Sequence, residues 1–178
     1  MLEFIVAILI IIVLLALALV AIAATKPNTF RVQRSTAVKA PPEKIYPLIS
    51  DYKNWPSWSP YENKDPAMKR TLSGAPSGKG AIYEWQGNKN VGAGRMEIID
   101  TVPPSKITIK LDFLKPFEAH NTAEFTLQPQ GDSTNVTWSM HGPLPFFGKV
   151  MQIFVDMDNM VGKDFAIGLA NLKALSEK

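Results

Sequence analysis

Six short segments that alternate apolar and polar residues follow one another between residues 68 and 142, and they constrain the fold more than any other feature. They read MKRTLSG, AIYEWQG, GRMEIIDTV, SKITIKLDF, AHNTAEFTLQP and TNVTWSMHG. The joints between them are short and contain glycine, proline, asparagine and aspartate, which favour turns. The sequence therefore predicts consecutive strands in an antiparallel meander, and not alternating β-α units.

Other elements flank this meander. Residues 29–40 also alternate and predict a strand, and Pro41-Pro42-Glu43 then starts a helix, with proline and an acid in its first turn. The aromatic, proline-broken stretch DYKNWPSWSPYENKDP predicts a short helix or turns. Residues 145–178 carry apolar residues at three- and four-residue steps, which predicts one long helix whose apolar stripe packs against the apolar face of the sheet.

The segment GNKNVGAG, residues 87–94, has the glycine spacing of a phosphate-binding loop. Such a loop needs a lysine and a hydroxyl residue after its second glycine and then a helix, whereas Ala93 and Gly94 stand there and a strand pattern follows. The dinucleotide pattern fails as well, because Glu97 occupies the position of its third glycine. The sequence favours a β-hairpin loop over a nucleotide site.

Several stretches together resemble one known group of proteins. They are RVQRSTAVKAPPEKIYPLISD, NWPSWSPYE, YEWQGNKNVGAGRMEI, LDFLKPFEAHNTAEFTL and VTWSMHGPLPFFGKVM. In this order they resemble the START-like (SRPBCC) superfamily, and in particular its polyketide cyclase/dehydrase-like proteins, over about residues 29–177. The resemblance implies an α+β helix-grip fold, in which a curved antiparallel sheet wraps around the long C-terminal helix. It also implies an apolar cavity between them for a lipid, a polyketide or another hydrophobic molecule.

Residue parity selects the side chains that would line this cavity, because alternate strand residues share a face. The predicted ligand-binding residues lie on the apolar face or on the last helix: Tyr83, Trp85, Met96, Ile98, Ile109, Phe113, Asn121, Phe125, Trp138, Met140, Phe154 and Met157. Asn121 and Arg34 are the polar side chains with this parity, and each either orients a ligand or pairs within the protein. Trp55, Trp58, Phe146 and Phe147 fall in turns or element ends, where they cover the cavity or touch a bilayer.

Catalytic and metal-binding groups are few. The chain has no cysteine and two histidines, and His120 and His141 are expected at the surface. The spacing of Asp156, Asp158 and Asp164 does not place them on one helix face. No metal or other cofactor is therefore expected, and the catalytic residues stay unknown. Parity makes Asp100 the main carboxylate of the apolar face, which an enzyme would need.

Residues 4–24 form an uninterrupted apolar run, FIVAILIIIVLLALALVAIAA. As a helix it would be about 32 Å long, which matches a bilayer core. We therefore expect a transmembrane anchor at residues 1–25, a linker at 26–28 and the folded domain at 29–178. A cleaved signal peptide is the alternative, since Ala21-Ile22-Ala23 resembles a cleavage site, but the run exceeds the usual length. Basic residues follow the span and none precedes it, which favours a cytoplasmic domain.

Three functions remain open. The first is a membrane-tethered protein that binds a hydrophobic small molecule or lipid. The second is a polyketide cyclase or dehydratase that uses the same cavity, and the third is a ligand-free stress or chaperone-cofactor module that contacts other proteins. The net charge of +3 is spread along the chain without a dense basic run, so nucleic acid is not an expected partner. The sequence leaves the oligomeric state open.

Overall fold

The computed structural model describes residues 1–178, apart from the side chain of Leu2. The helices are α1 (Leu2–Thr25), α2 (Pro42–Ser50), a 3-10 helix (Tyr52–Ser57), α3 (Tyr61–Lys64), α4 (Phe146–Phe154) and α5 (Met157–Ser176). The strands are β1 (Thr29–Val38), β2 (Lys69–Gly74), β3 (Ala81–Gln86), β4 (Ala93–Val102), β5 (Lys106–Lys115), β6 (Ala119–Gln130) and β7 (Ser133–Pro143).

The strands form one seven-stranded antiparallel sheet in the order β1-β7-β6-β5-β4-β3-β2. Strands β2 to β7 pair in sequence order, and β1 adds at the β7 edge, as expected for strands joined by short turns. Helix α5 packs along β1 and β7, so the curved sheet grips the last helix. The predicted helix-grip fold with an N-terminal apolar helix is confirmed.

The strand register defines two ends of the sheet. Thr29 of β1 pairs with Pro143 of β7, and Phe113 of β5 pairs with Ala119 of β6. The start of β1, the end of β7 and the β5–β6 turn therefore lie at one end of the sheet. Helix α1 joins the domain at this end, through the linker of residues 26–28. We call it the anchor end, and the opposite end, with the β6–β7 turn, the distal end.

The predicted single C-terminal helix is wrong, because α4 and α5 are separate helices. Between them Val155 is extended, with φ −121° and ψ 120°. The Asp156 carboxylate then accepts a hydrogen bond of 2.9 Å from the backbone N–H of Asn159 and caps α5. Apolar spacing continues across the break and cannot reveal it, whereas a capping aspartate favours a new helix start.

The placement of Asp100 on the apolar face is also wrong. A β-bulge shifts the register between Ile98 and Asp100, so that Ile98 pairs with Ile109 but Asp100 pairs with Thr108. The extra residue inverts the alternation of side chains beyond it. Asp100 consequently lies on the polar outer face and is exposed.

The loop after β3 is a hairpin loop, as predicted. The N–H of Gly87 donates to the carbonyl of Gly92 over 2.8 Å, and Gly92 has a φ of +63°. Gly94 serves another purpose, because a Cβ there would lie 2.3 Å from the indole of Trp85. Its absence lets Trp85 lie flat against β4.

Candidate functional site

Aromatic side chains fill the centre of the space between the sheet and α5. Trp138 of β7 stacks on Phe165 of α5, with 4.1 Å between ring centroids and 10° between planes. On its other side it stacks on Phe125 of β6 at 4.9 Å. Trp58 meets Phe125 and Trp138 edge-on, at 6.0 and 5.7 Å. We call Trp55, Trp58, Phe125, Trp138 and Phe165 the aromatic cluster; it joins sheet and helix directly.

Two of these rings come from the 3-10 helix and the residue after it. Trp55 and Trp58 are 4% and 1% exposed, and their indole N–H groups donate to the carbonyls of Ile49 and Leu48, each over 2.9 Å. A buried tryptophan needs such a partner for its N–H. These two residues therefore belong to the core, so the predicted contact with a bilayer is wrong for them.

The structure divides the predicted ligand-binding residues into three groups. Tyr83, Ile98, Ile109, Phe125 and Trp138 are buried in the packed core. Trp85, Met96, Phe113, Asn121, Met140 and Met157 lie nearer the anchor end, where Trp85, Phe113 and Met157 are only half-buried. Phe154 ends α4 with 68% of its surface exposed, outside the packed interior.

The anchor-end group combines rigid and adaptable side chains. The Trp85 indole is fixed by donating to the carbonyl of Val91 over 3.0 Å, and it meets Phe113 edge-on at 5.8 Å. Met96 and Met140 pack nearby in the core cluster, with Met157 at its margin. Thioethers on flexible chains fit apolar surfaces of different shape.

Asn121 is the polar residue of this group. It is 8% exposed and pairs with Leu111 across the sheet. Its side-chain oxygen lies so close to Gly142 that a Cβ there would be 2.1 Å away. Its amide carries both a donor and an acceptor, with which it can contact a hydroxyl or carbonyl group of a ligand.

Arg34 has a partner within the protein. Its guanidinium donates twice to the Asp158 carboxylate, each over 3.0 Å, and also to the Asp158 and Gln33 carbonyls. Gly162 makes room for it, because a Cβ there would lie 2.0 Å from the guanidinium. Of the two predicted roles, Arg34 takes the structural one and joins β1 to the start of α5.

Glu62 is a buried carboxylate that the sequence did not single out. It is 7% exposed, accepts a hydrogen bond of 2.7 Å from the Tyr83 hydroxyl and pairs with Arg70. Burial, and then this hydrogen bond, raise the pKa of Tyr83 above its ordinary value, so Tyr83 stays a neutral donor. Glu62 lies on a four-residue helix within a proline-broken stretch, where periodicity assigns no face.

The other acids and histidines that the sequence singled out do not form a catalytic or metal-binding group. Asp164 pairs with Lys64, and His120 bonds to Asp112 on the outer face over 2.7 Å. His141 is half-buried, and its Nδ1 has no hydrogen-bond partner among the described residues. Within the described part of the chain, no group of three or more His, Asp or Glu side chains is arranged to hold a metal ion.

Comparison with known proteins agrees with this architecture. A family model described as "Polyketide cyclase / dehydrase and lipid transport" matches residues 29–177. No curated protein matches the sequence significantly. The fold of the family indicates a ligand-binding cavity between sheet and helix.

Three solved structures share the fold at low identity. A protein from Chromobacterium violaceum is 18% identical with a TM-score of 0.59, over 86% of this chain and 99% of its own. The major latex-like protein 151 from Panax ginseng is 14% identical with a TM-score of 0.58, over 85% and 100%. The di-domain ARO/CYC BexL from the BE-7585A biosynthetic pathway is 12% identical with a TM-score of 0.61, over 89% and 53%. Since the family match runs from the start of β1 to the end of α5, the chain belongs to the family of polyketide cyclase/dehydrase and lipid transport proteins.

Proposed function

We propose that this protein binds a hydrophobic small molecule or lipid at the anchor end of its sheet, while α1 holds it in a membrane. One observation carries the proposal: the interior is tightly packed at its centre and less completely covered at the anchor end. The aromatic cluster closes the centre, whereas half-buried apolar side chains and the buried amide of Asn121 lie at the anchor end. Apolar walls with few polar groups are typical of ligand pockets.

The half-buried side chains would supply the affinity. Trp85, Phe113 and Met157 expose apolar surface that a ligand would remove from water, which is favourable in proportion to area. The Asn121 amide would then orient a hydroxyl or carbonyl group of the ligand. Such a polar contact adds selectivity because an unmatched ligand leaves the buried amide unpaired.

Helix α1 supports the membrane part of the proposal. It is long and apolar enough to cross a bilayer, and none of its most apolar stretch is buried against the protein. Apolar side chains exposed around a whole helix need lipid around them. Because only residues 26–28 separate α1 from β1, the anchor end would lie beside the bilayer, and the basic residues Lys26 and Arg31 after the span favour the cytoplasmic side.

The test uses the full chain purified in detergent micelles. We expect native mass spectrometry to reveal co-purified lipid, and 1-anilinonaphthalene-8-sulfonate, an apolar fluorescent probe, to bind saturably. A Phe113→Ser change should weaken probe binding about tenfold, a loss of about 1.4 kcal/mol. Leu72→Ser, at an exposed position of β2, is the matched control and should leave binding unchanged. If the protein carries no bound lipid and does not bind the probe saturably, the proposal is wrong.

A ligand-free module that contacts other proteins is the second candidate. The aromatic cluster favours it, since side chains occupy the centre of the space where the family fold holds a cavity. This function predicts that the probe does not bind while the protein remains folded. The cyclase or dehydratase function gains less support, because Asp100 faces outward and the charge of Glu62 is balanced by Arg70.

A further inference from the structure

Helix α4 carries an apolar surface that the rest of the domain leaves uncovered. Its exposed side chains, with the residue that follows, are Phe146, Phe147, Met151, Phe154 and Val155, between 37% and 68% exposed. The charged residue of α4 is Lys149, which is turned inward and donates to the Asn28 side chain over 2.7 Å. The outward surface of α4 is therefore apolar and uncharged, and large patches of this kind mark binding surfaces.

The position of α4 shows what covers this surface. The N–H of Leu144, just before α4, donates to the carbonyl of Asn28 in the linker over 2.7 Å. Helix α4 also contacts α1, and the α1 residues that lose exposure, Leu19 and Ala23, lie near its C-terminal end. These contacts hold α4 beside the C-terminal end of α1.

The β5–β6 turn adds a second apolar element at the same end. Leu114 is 55% and Phe117 74% exposed. Their neighbours Lys115 and Glu118 carry opposite charges, so this turn presents apolar side chains without a net charge. The β6–β7 turn at the distal end is polar by contrast, with Asp132 at its tip.

We propose that α4 and the β5–β6 turn lie in the bilayer interface, with Phe117, Phe147 and Phe154 inserted among the lipid chains. The inference rests on the proposed membrane tether. It adds that the domain is docked on the bilayer surface and does not reorient freely about its linker. An amphipathic helix in the interface buries its apolar face about 5–10 Å deep. Docking in this way would turn the anchor-end group of side chains toward lipid, and aromatic residues are favoured at that depth.

The absence of cysteine allows a direct test with single-cysteine variants of the full chain. Ala16→Cys, Phe147→Cys, Met151→Cys and Asp132→Cys, each labelled with bimane, would be placed in phosphatidylcholine nanodiscs with or without bromine on the acyl chains. We expect brominated lipid to quench positions 16, 147 and 151 at least twofold and to leave position 132 unchanged. Iodide in the buffer should quench position 132 alone.

The outcomes separate the two proposals. Quenching by brominated lipid at position 16, together with iodide quenching at 147 and 151, would keep the tether and overturn the docking of α4. No lipid quenching at position 16 would remove the tether and the docking together. Protection of 147 and 151 from both quenchers would show that protein covers α4, and would also overturn the proposal.

Discussion

Replacing Phe125 by alanine tests whether the interior is as tightly packed as the structure shows. Phe125 is fully buried, stacks on Trp138 at 4.9 Å and meets Trp55 and Trp58 edge-on at 6.3 and 6.0 Å. The neighbouring Trp55 and Trp58 are held by their N–H bonds to the carbonyls of Ile49 and Leu48, which hinders them from moving into its place. The site should therefore relax little.

The expected cost follows from this geometry. Burying a phenylalanine side chain contributes up to about 3 kcal/mol, and the unfilled volume adds to the loss, so the free energy of unfolding should fall by about 4 kcal/mol. For a domain of this size, that corresponds to a melting temperature lower by roughly 10 °C. Ile167→Ala is the matched control, since Ile167 of α5 is 52% exposed; its effect should stay within about 0.5 kcal/mol.

The melting temperatures of both variants can be measured by circular dichroism of the full chain in detergent on heating. A fall in melting temperature of less than about 3 °C for Phe125→Ala, which corresponds to about 1 kcal/mol, would refute the packed centre. That result would mean that the cluster encloses free space or a ligand. Binding of the apolar probe to Phe125→Ala but not to the native chain would instead show that the cluster itself closes the cavity.

Two further predictions concern the sheet. The hydrogen bond that the His120 imidazole donates to the Asp112 carboxylate raises the pKa of His120 above its ordinary value. The contribution of this pair to stability is therefore complete below about pH 6.5 and is lost as the pH rises through the raised pKa. NMR titration should show this raised pKa, and Asp112→Asn should lower it; an unchanged pKa in the variant would contradict the pairing. Gly94→Ala should cost about 1–3 kcal/mol, because the new Cβ meets Trp85 and the backbone of Asp112, and urea unfolding followed by tryptophan fluorescence would measure it. An equally stable variant would contradict the close approach of Trp85 to β4.

The meander could be predicted from the sequence because each strand has its own alternation and its own turn residues. Side-chain parity also found a core position in each of five strands, since Tyr83, Ile98, Ile109, Phe125 and Trp138 are all buried. A pattern with period two is a local property, since it depends only on which face of one strand is buried.

The structural features that could not be predicted from the sequence depend on single residues or on contacts distant in the chain. One extra residue at the bulge moved Asp100 to the outer face, and one capping aspartate divided the terminal helix. The inward turn of Trp58 depends on a carbonyl of α2 ten residues away and on rings from β6 and β7. From the sequence alone, Trp58 is expected only in a turn or at an element end, where it covers the cavity or touches a bilayer.

A lipid tether changes what the anchor-end side chains must achieve. A lipid that leaves the bilayer exchanges one apolar environment for another, so contacts with Phe113 or Met157 gain little over lipid tails. The gain of about 0.8 kcal/mol per buried CH₂ applies to a compound that arrives from water. Discrimination among membrane lipids would then rest on polar contacts, for which the anchor end has the buried amide of Asn121. Asn121 would accordingly decide which lipid is bound, while the surrounding apolar side chains would decide only how long a chain fits below the aromatic cluster.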